Sequence, residues 1–143
     1  MVTCESVSAA LEAAEPPRPR RRLLLVEDDA ALRVHLSELL MLEGFEVTAA
    51  ADGAEAMSRL LHEPPPSVIV LDLELPRIDG FAFRTVQLQS PSLREIPTIA
   101  FTALNDPAKL PRFGFSAVIS KRPGFDALIT TLAAVCPPPS TQS

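Results

Sequence analysis

Short unbroken runs of apolar residues alternate along this chain with longer stretches in which apolar residues recur every three or four positions. Leu23 to Val26, Val68 to Leu71 and, apolar after its first residue, Thr98 to Phe101 are runs of the first kind. Each is too short for a helix of useful length, and continuous apolar character predicts strands buried on both faces. Glu46 to Ala50 and Ala117 to Ser120 add two further short strands. Between them Leu32, Leu36, Leu39 and Leu40 mark one face of a helix from Asp29 to Glu43, which Gly44 closes as a left-handed stop. Ala54, Met57, Leu60 and Leu61 predict a second helix ended by Pro64 to Pro66, Gly80 to Leu88 a third, and Phe125, Leu128, Ile129 and Leu132 the face of the last. Strand and helix alternate throughout, so the chain is expected to be an α/β domain with helices on both faces of a five-stranded parallel sheet.

The two ends lack this periodicity. Glu15 to Arg22 is almost entirely proline and arginine and reads as an extended linker, which starts the folded domain near Arg21. Before it, Ser6 to Glu15 has helix-forming composition with Thr3 or Ser6 as a cap, but so short a helix is marginal in water without a surface to dock on. After Val135, three consecutive prolines cannot continue a helix. The organisation expected is a mostly disordered tail over 1–20, one domain over 21–136 and a second tail over 137–143, with no output domain following. A chain of 143 residues, 47% hydrophobic, is long enough for one such domain with a real core.

Charge and cysteine content narrow the class. The net charge of -5 argues against general affinity for nucleic acid or membranes. Arg18, Arg20, Arg21 and Arg22 have no interleaved aromatics and no recognition helix, so they read as a solvated linker, or as positive charge abutting an acidic partner, rather than a nucleic-acid interface. Cys4 and Cys136 form neither a disulfide framework nor a metal-ligand spacing with His35 and His62. No apolar run approaches the ~20 residues a bilayer span needs, and Glu5, Glu12 and Glu15 stand where a signal peptide would be basic. A cytoplasmic protein is expected.

In open parallel sheets the functional crevice lies beyond the C-terminal ends of the strands. Four of the five predicted strands end there on Glu27-Asp28, Asp72, Thr102 and Lys121. Each alone has an ordinary explanation: Asp28 or Asp29 could only cap the first helix, Thr102 could be a turn residue, and Lys121 a solvated charge. No packing requirement explains the whole set on one edge, and carboxylates gathered there call for a cation.

These residues resemble the receiver domains of two-component response regulators over roughly Arg21 to Val135. The resemblance rests on Leu25-Val26-Glu27-Asp28-Asp29, on Leu71-Asp72-Leu73-Glu74-Leu75-Pro76 with Asp79-Gly80, on Phe101-Thr102-Ala103 and on Ile119-Ser120-Lys121-Arg122-Pro123. It implies a three-layer αβα, flavodoxin-like fold with strand order 2-1-3-4-5. It makes Asp72 the phosphoacceptor and Asp28 a direct Mg²⁺ ligand, with Glu27 acting through metal-bound water and Glu74 lending its backbone carbonyl. Thr102 would hydrogen-bond a phosphoryl oxygen and Lys121 would pair with the acceptor carboxylate or its phosphate. The implied donor is a phosphohistidine on a histidine kinase or histidine phosphotransfer protein, and output would go through an unnamed downstream protein. The chain would be a monomer or a weak homodimer. His35 and His62, in helical segments away from the strand ends, are not plausible donors.

The chemistry agrees with the assignment. A carboxylate that attacks phosphorus meets charge repulsion, which Mg²⁺ relieves by drawing nucleophile and phosphoryl oxygens together. Charge then spreads over the phosphoryl oxygens, where an ammonium and a hydroxyl stabilise it.

Three departures from the family's pattern fall together. Val118 stands three residues before the lysine, where relatives carry an aromatic, and Phe113 and Phe115 are displaced upstream. Thr102 and Lys121 are 19 positions apart, about one helical turn short, with Pro107 and Pro111 inside the interval, so the helix between them is expected to be short or irregular. Arg122 separates Lys121 from Pro123. Two readings therefore stand: a stand-alone phosphoacceptor, and a receiver-like interaction module whose partner binding is independent of phosphorylation. Leu104, two residues beyond Thr102, has no polar group to orient an attacking water and is expected to slow loss of the phosphate; the influence of Glu74 has no predicted sign.

Overall fold

The structure is a computed structural model that describes residues 21–73, 80–103, 114–121 and 125–136. In chain order the elements are β1 (Arg21–Val26), α1 (Ala30–Leu42), β2 (Phe45–Ala50), α2 (Gly53–His62), β3 (Val68–Leu71), α3 (Gly80–Gln89), β4 (Thr98–Thr102), β5 (Ala117–Ser120) and α4 (Asp126–Val135). The strands form one parallel sheet in the order β2-β1-β3-β4-β5, as the resemblance implied. Most of the crossover between β4 and β5, including the expected irregular helix with Pro107 and Pro111, lies outside the described residues, as do the tails at 1–20 and 137–143.

Alternate residues of each strand point to opposite faces, so the continuous apolar runs feed two cores. Leu23, Leu25, Val68, Val70, Ile99 and Phe101 pack against Leu36 and Leu40 of α1 and Leu128 and Leu132 of α4. On the other face Leu24, Val26, Ile69, Leu71 and Ala100 meet Ala56 and Leu60 of α2 and Phe83 of α3. Burying each such leucine or isoleucine stabilises the fold by about 1.5–3 kcal/mol, which explains why all four residues of β3 can be apolar and buried. No helix among the described residues is long and apolar enough to cross a membrane.

Register delivers the strand ends to one edge. Val26 pairs with both Ala50 and Leu71, Leu71 with Ala100, and Thr102 with Ser120. The next residue along β1, β3 and β5 is Glu27, Asp72 and Lys121.

At the opposite edge the sequence reading needs correction. Arg21 and Arg22 belong to β1 and not to a solvated linker. The Arg21 guanidinium lies 4.1 Å from the centre of the Phe45 ring and donates 2.8 Å to the Cys136 carbonyl and also to the Glu43 carbonyl. It thereby satisfies backbone oxygens just past the ends of both α1 and α4, where a cation is favoured. Gly44, at φ 97°, takes the left-handed turn beside it, and a Cβ there would sit 3.0 Å from Arg21 Nη2.

A second polar cluster went unpredicted. Arg84 is 4% exposed, and Gln87 and Thr98 are fully buried. Arg84 donates to Gln87 Oε1 (2.8 Å), Thr98 Oγ1 (3.1 Å) and the Gly114 carbonyl (2.9 Å), while Gln87 Nε2 donates to the Leu93 and Ile96 carbonyls. Phe115 covers the guanidinium at 5.4 Å from its ring centre. The cluster ties α3 to the start of β4 and to the approach to β5.

Candidate functional site

Beyond Val26 the acid turn gives each of its three carboxylates a different task. Glu27, 1% exposed, turns inward, with its N–H donating to the Ala50 carbonyl at 3.0 Å. Its Oε2 accepts from the Asp29 N–H at 3.1 Å. Asp29 is the N-cap of α1 and accepts from the Leu32 N–H at 3.0 Å. This settles which aspartate caps the helix and leaves Asp28, exposed, at the mouth of the site. Arg33, one turn into α1, reaches back and donates to the carbonyls of Glu27 (2.9 Å) and Asp28 (3.3 Å). Sequence reasoning missed Arg33, although its place four residues after Asp29 on the first turn was a usable signal.

Asp72, 3% exposed, follows β3 directly and is anchored by its N–H to the Val26 carbonyl at 3.0 Å. Thr102, the last residue of β4, is 1% exposed, and its carbonyl accepts from the Lys121 N–H at 3.1 Å. Lys121 Nζ then lies 3.0 Å from Asp72 Oδ2 and 2.9 Å from Glu27 Oε1. The structure thus brings Glu27, Asp28, Asp72, Thr102 and Lys121 to one edge. Glu74 and Leu104 lie outside the described residues. His35 packs on Phe125 with ring centres 5.3 Å apart, and His62 donates to the Ser58 carbonyl at 2.9 Å; neither belongs to the acidic group.

Electrostatics at this edge are finely opposed. Burial pushes the Glu27 carboxyl up from its ordinary value, with Lys121 and the Asp29 N–H pulling the other way. Burial also works against the Lys121 ammonium, but the hydrogen bonds and charges of Glu27 and Asp72 outweigh it and hold the lysine above its usual range. One oxygen from each of Glu27, Asp28 and Asp72 lies within 4.8 Å of the others. Such a set suits a hard cation that takes oxygen ligands and retains some water on its exposed side.

Val118, at the position where the resemblance called for an aromatic, is 42% exposed. The upstream Phe115 is packed against the core on the α2 and α3 face and engaged with Arg84.

Comparison with known proteins extends this picture beyond the acid motif. The family model for the response regulator receiver domain matches residues 23–133. The transcriptional regulatory protein AfsQ1 of Streptomyces coelicolor is 43% identical over 85 residues, which are 59% of this chain and 36% of that protein. The chain spans about a third of the length of the first curated relatives it matches. Among solved structures, the chemotaxis response regulator CheY4 of Vibrio cholerae superposes with a TM-score of 0.75 at 27% identity, covering 82% of this chain and 99% of that one. The response regulator TrrA of Thermotoga maritima, solved in complex with Mg²⁺-BeF, gives a TM-score of 0.72 at 25% identity over 80% of this chain and 98% of the other. Because the match runs from β1 into α4 and takes in every strand between, the chain belongs to the receiver-domain family of two-component response regulators.

Proposed function

We propose that Asp72 accepts a phosphoryl group from a phosphohistidine on a histidine kinase or histidine phosphotransfer protein, in a Mg²⁺-dependent reaction, and that the modified chain signals in the cytoplasm through protein contacts. The observation that carries this reading is the shared ammonium: Lys121 holds Asp72 at 3.0 Å and Glu27 at 2.9 Å at the edge where the strands end.

Glu27, Asp28 and Asp72, with the backbone carbonyl of Glu74, would hold the cation. The mutual reach of the three carboxylates, the exposure of Asp28 and the charge of Glu27 opposed by burial all fit a divalent ion there. Bound Mg²⁺ would offset the repulsion between the Asp72 carboxylate and the incoming phosphoryl oxygens.

In the reaction an Asp72 carboxylate oxygen attacks phosphorus, and the bond from phosphorus to the donor's imidazole nitrogen breaks, its electron pair leaving with the imidazole. Burial keeps Asp72 from sampling many orientations, and its N–H bond to Val26 fixes the backbone behind it. Charge developing on the transferred oxygens is met by the Lys121 ammonium and the Thr102 hydroxyl. The product is an acyl phosphate, reactive enough to serve as a transient signal. The chemistry is confined to the chain's own carboxylate: acceptance, then hydrolysis.

Incubation with acetyl phosphate and Mg²⁺ tests the proposal by intact-mass spectrometry. An added phosphoryl mass is expected, absent when Mg²⁺ is chelated and absent in Asp72→Ala. A chain that stays unmodified at saturating donor would overturn phosphoacceptance and leave the phosphorylation-independent interaction module.

A further inference from the structure

Arg21 and Arg22 stand next to each other at the start of β1, but the two faces of the sheet use them differently. Arg21 closes the face of α1 and α4 by lying over Phe45 and reaching the carbonyls of Glu43 and Cys136. Arg22, like Leu24, belongs to the α2 face. There a cleft of about 230 Å³ lies between β1, the edge strand β2 and the end of α2. Its floor is apolar, made of Leu24, Leu60, Pro64 and Pro66. The Ser67 N–H donates to the Arg22 carbonyl at 2.8 Å, which holds the two prolines beside the first residues of β1. An apolar cavity of about 150 Å³ can take up benzene, so this cleft has room for the side chains of a leucine and a valine.

The rim carries both charges. Arg22 lies 3.8 Å from Glu46 and Arg59 lies 2.9 Å from Glu63, and all four side chains are more than a third exposed. Exposed pairs of this kind contribute little to the fold and exchange partners readily. The chain that enters at this edge has matching chemistry. Val7, Leu11 and Ala14 recur at spacings of four and three, which puts them on one face of a helix with Glu15 at its border. Segment 6–15 is marginal as an isolated helix, and the cleft offers it a surface where the chain enters the sheet. The linker 16–20 spans about 15 Å when extended, and a helix over 6–15 has about the same length. A chain that runs out along the linker and back along the helix can therefore return Leu11 to the neighbourhood of Arg22.

We propose that the cleft between β1, β2 and the end of α2 is a docking site for the chain's own segment 6–15. Val7 and Leu11 would fill the floor, Glu12 and Glu15 would face Arg22 and Arg59, and Arg18 and Arg20 of the linker would face Glu46 and Glu63. A second copy or a separate protein is the poorer occupant. The short tether holds the segment beside the cleft at an effective concentration in the millimolar range, so a contact too weak to retain a free peptide suffices. The cleft is at the edge of the sheet away from the carboxylates, and docking as proposed does not require Asp72 to be modified.

Cys4 lies just ahead of the segment, so a nitroxide attached to it in the full chain, with Cys136→Ser to leave one thiol, reads where the segment sits. In the ¹⁵N-labelled protein the amides of Arg22, Thr48, Arg59 and Glu63 are expected to lose intensity, while those of Asp28 and Lys121 keep theirs. Leu11→Glu should restore the lost intensities, as should Glu12→Lys with Glu15→Lys, whereas Leu11→Met should not. Unchanged shifts at Asp28 and Lys121 show that each variant keeps its fold. Intensity loss spread evenly over the surface, loss centred on another face, or the same loss in Leu11→Glu would overturn the proposal. So would equal loss in a mixture of spin-labelled ¹⁴N chain with unlabelled ¹⁵N chain, which would assign the cleft to a neighbouring copy.

Discussion

Lys121 lies as close to Glu27 as to the acceptor itself: its Nζ is 2.9 Å from Glu27 Oε1 and 3.0 Å from Asp72 Oδ2. The ammonium supplies positive charge to two buried carboxylates and therefore competes with any cation drawn to them. Lys121→Met should destabilise the metal-free chain by about 1–3 kcal/mol, less than a fully buried pair would cost because the lysine side chain is 21% exposed. Mg²⁺ should bind the same variant more tightly than the parent. Urea unfolding in chelator and calorimetric Mg²⁺ titration read the two effects, and an affinity that falls would show that Lys121 does not compete.

Glu27 gives a pH-dependent counterpart. Burial raises its carboxyl above the ordinary value, so the folded chain binds that proton more tightly than the unfolded chain does. The stabilising share of this group is present below the ordinary carboxylate range and is lost as pH rises through the raised value. Glu27→Gln keeps an acceptor for the Asp29 N–H and removes the charge. It should make the metal-free chain more stable at pH 7, and the gain should vanish under acid conditions where the parent is protonated in both states. Melting curves across pH 3.5–7, spanning the ordinary glutamate value of about 4.3, check this.

Arg33 positions the acid turn without contributing a ligand. It holds the carbonyls of Glu27 and Asp28 from one side only. Arg33→Ala should weaken Mg²⁺ binding about fivefold, the equivalent of roughly 1 kcal/mol for a part-exposed charged hydrogen bond, with little change in melting temperature. A large loss of stability with unchanged affinity would mean that the arginine serves the fold instead.

The Arg84 cluster separates polar satisfaction from polar content. Arg84→Met leaves Gln87 and Thr98 buried with fewer partners and should cost about 2–4 kcal/mol. Arg84→Met with Gln87→Leu and Thr98→Val removes the dependent polar groups together and should recover much of that loss. Urea denaturation of the single and triple variants decides it.

What the sequence revealed was whatever depends on near neighbours. Leu23 to Val26 and Val68 to Leu71 announce strands because burial on both faces demands continuous apolar character. Glu27, Asp72, Thr102 and Lys121 were found because each directly ends or follows such a run. Arg21 and Arg84 escaped for one shared reason: each has a partner remote in the chain. Arg21 meets Cys136 across 115 positions and Arg84 meets Gly114 across 30. An arginine in a proline-rich stretch gives no sign that two helix ends need its guanidinium. Of the two partners of Lys121, Asp72 was expected from the family resemblance, and Glu27 was unforeseen.

The bond from Arg21 to the Cys136 carbonyl also makes the described fold nearly a closed loop. Its first strand and last helix meet at the pole opposite the carboxylates. A short linker between positions 136 and 21 would therefore span a gap already bridged by one side chain. The chain could be reopened at an exposed site such as the turn after His62, giving a permuted protein with the same sheet, the same acid edge and a different order of synthesis.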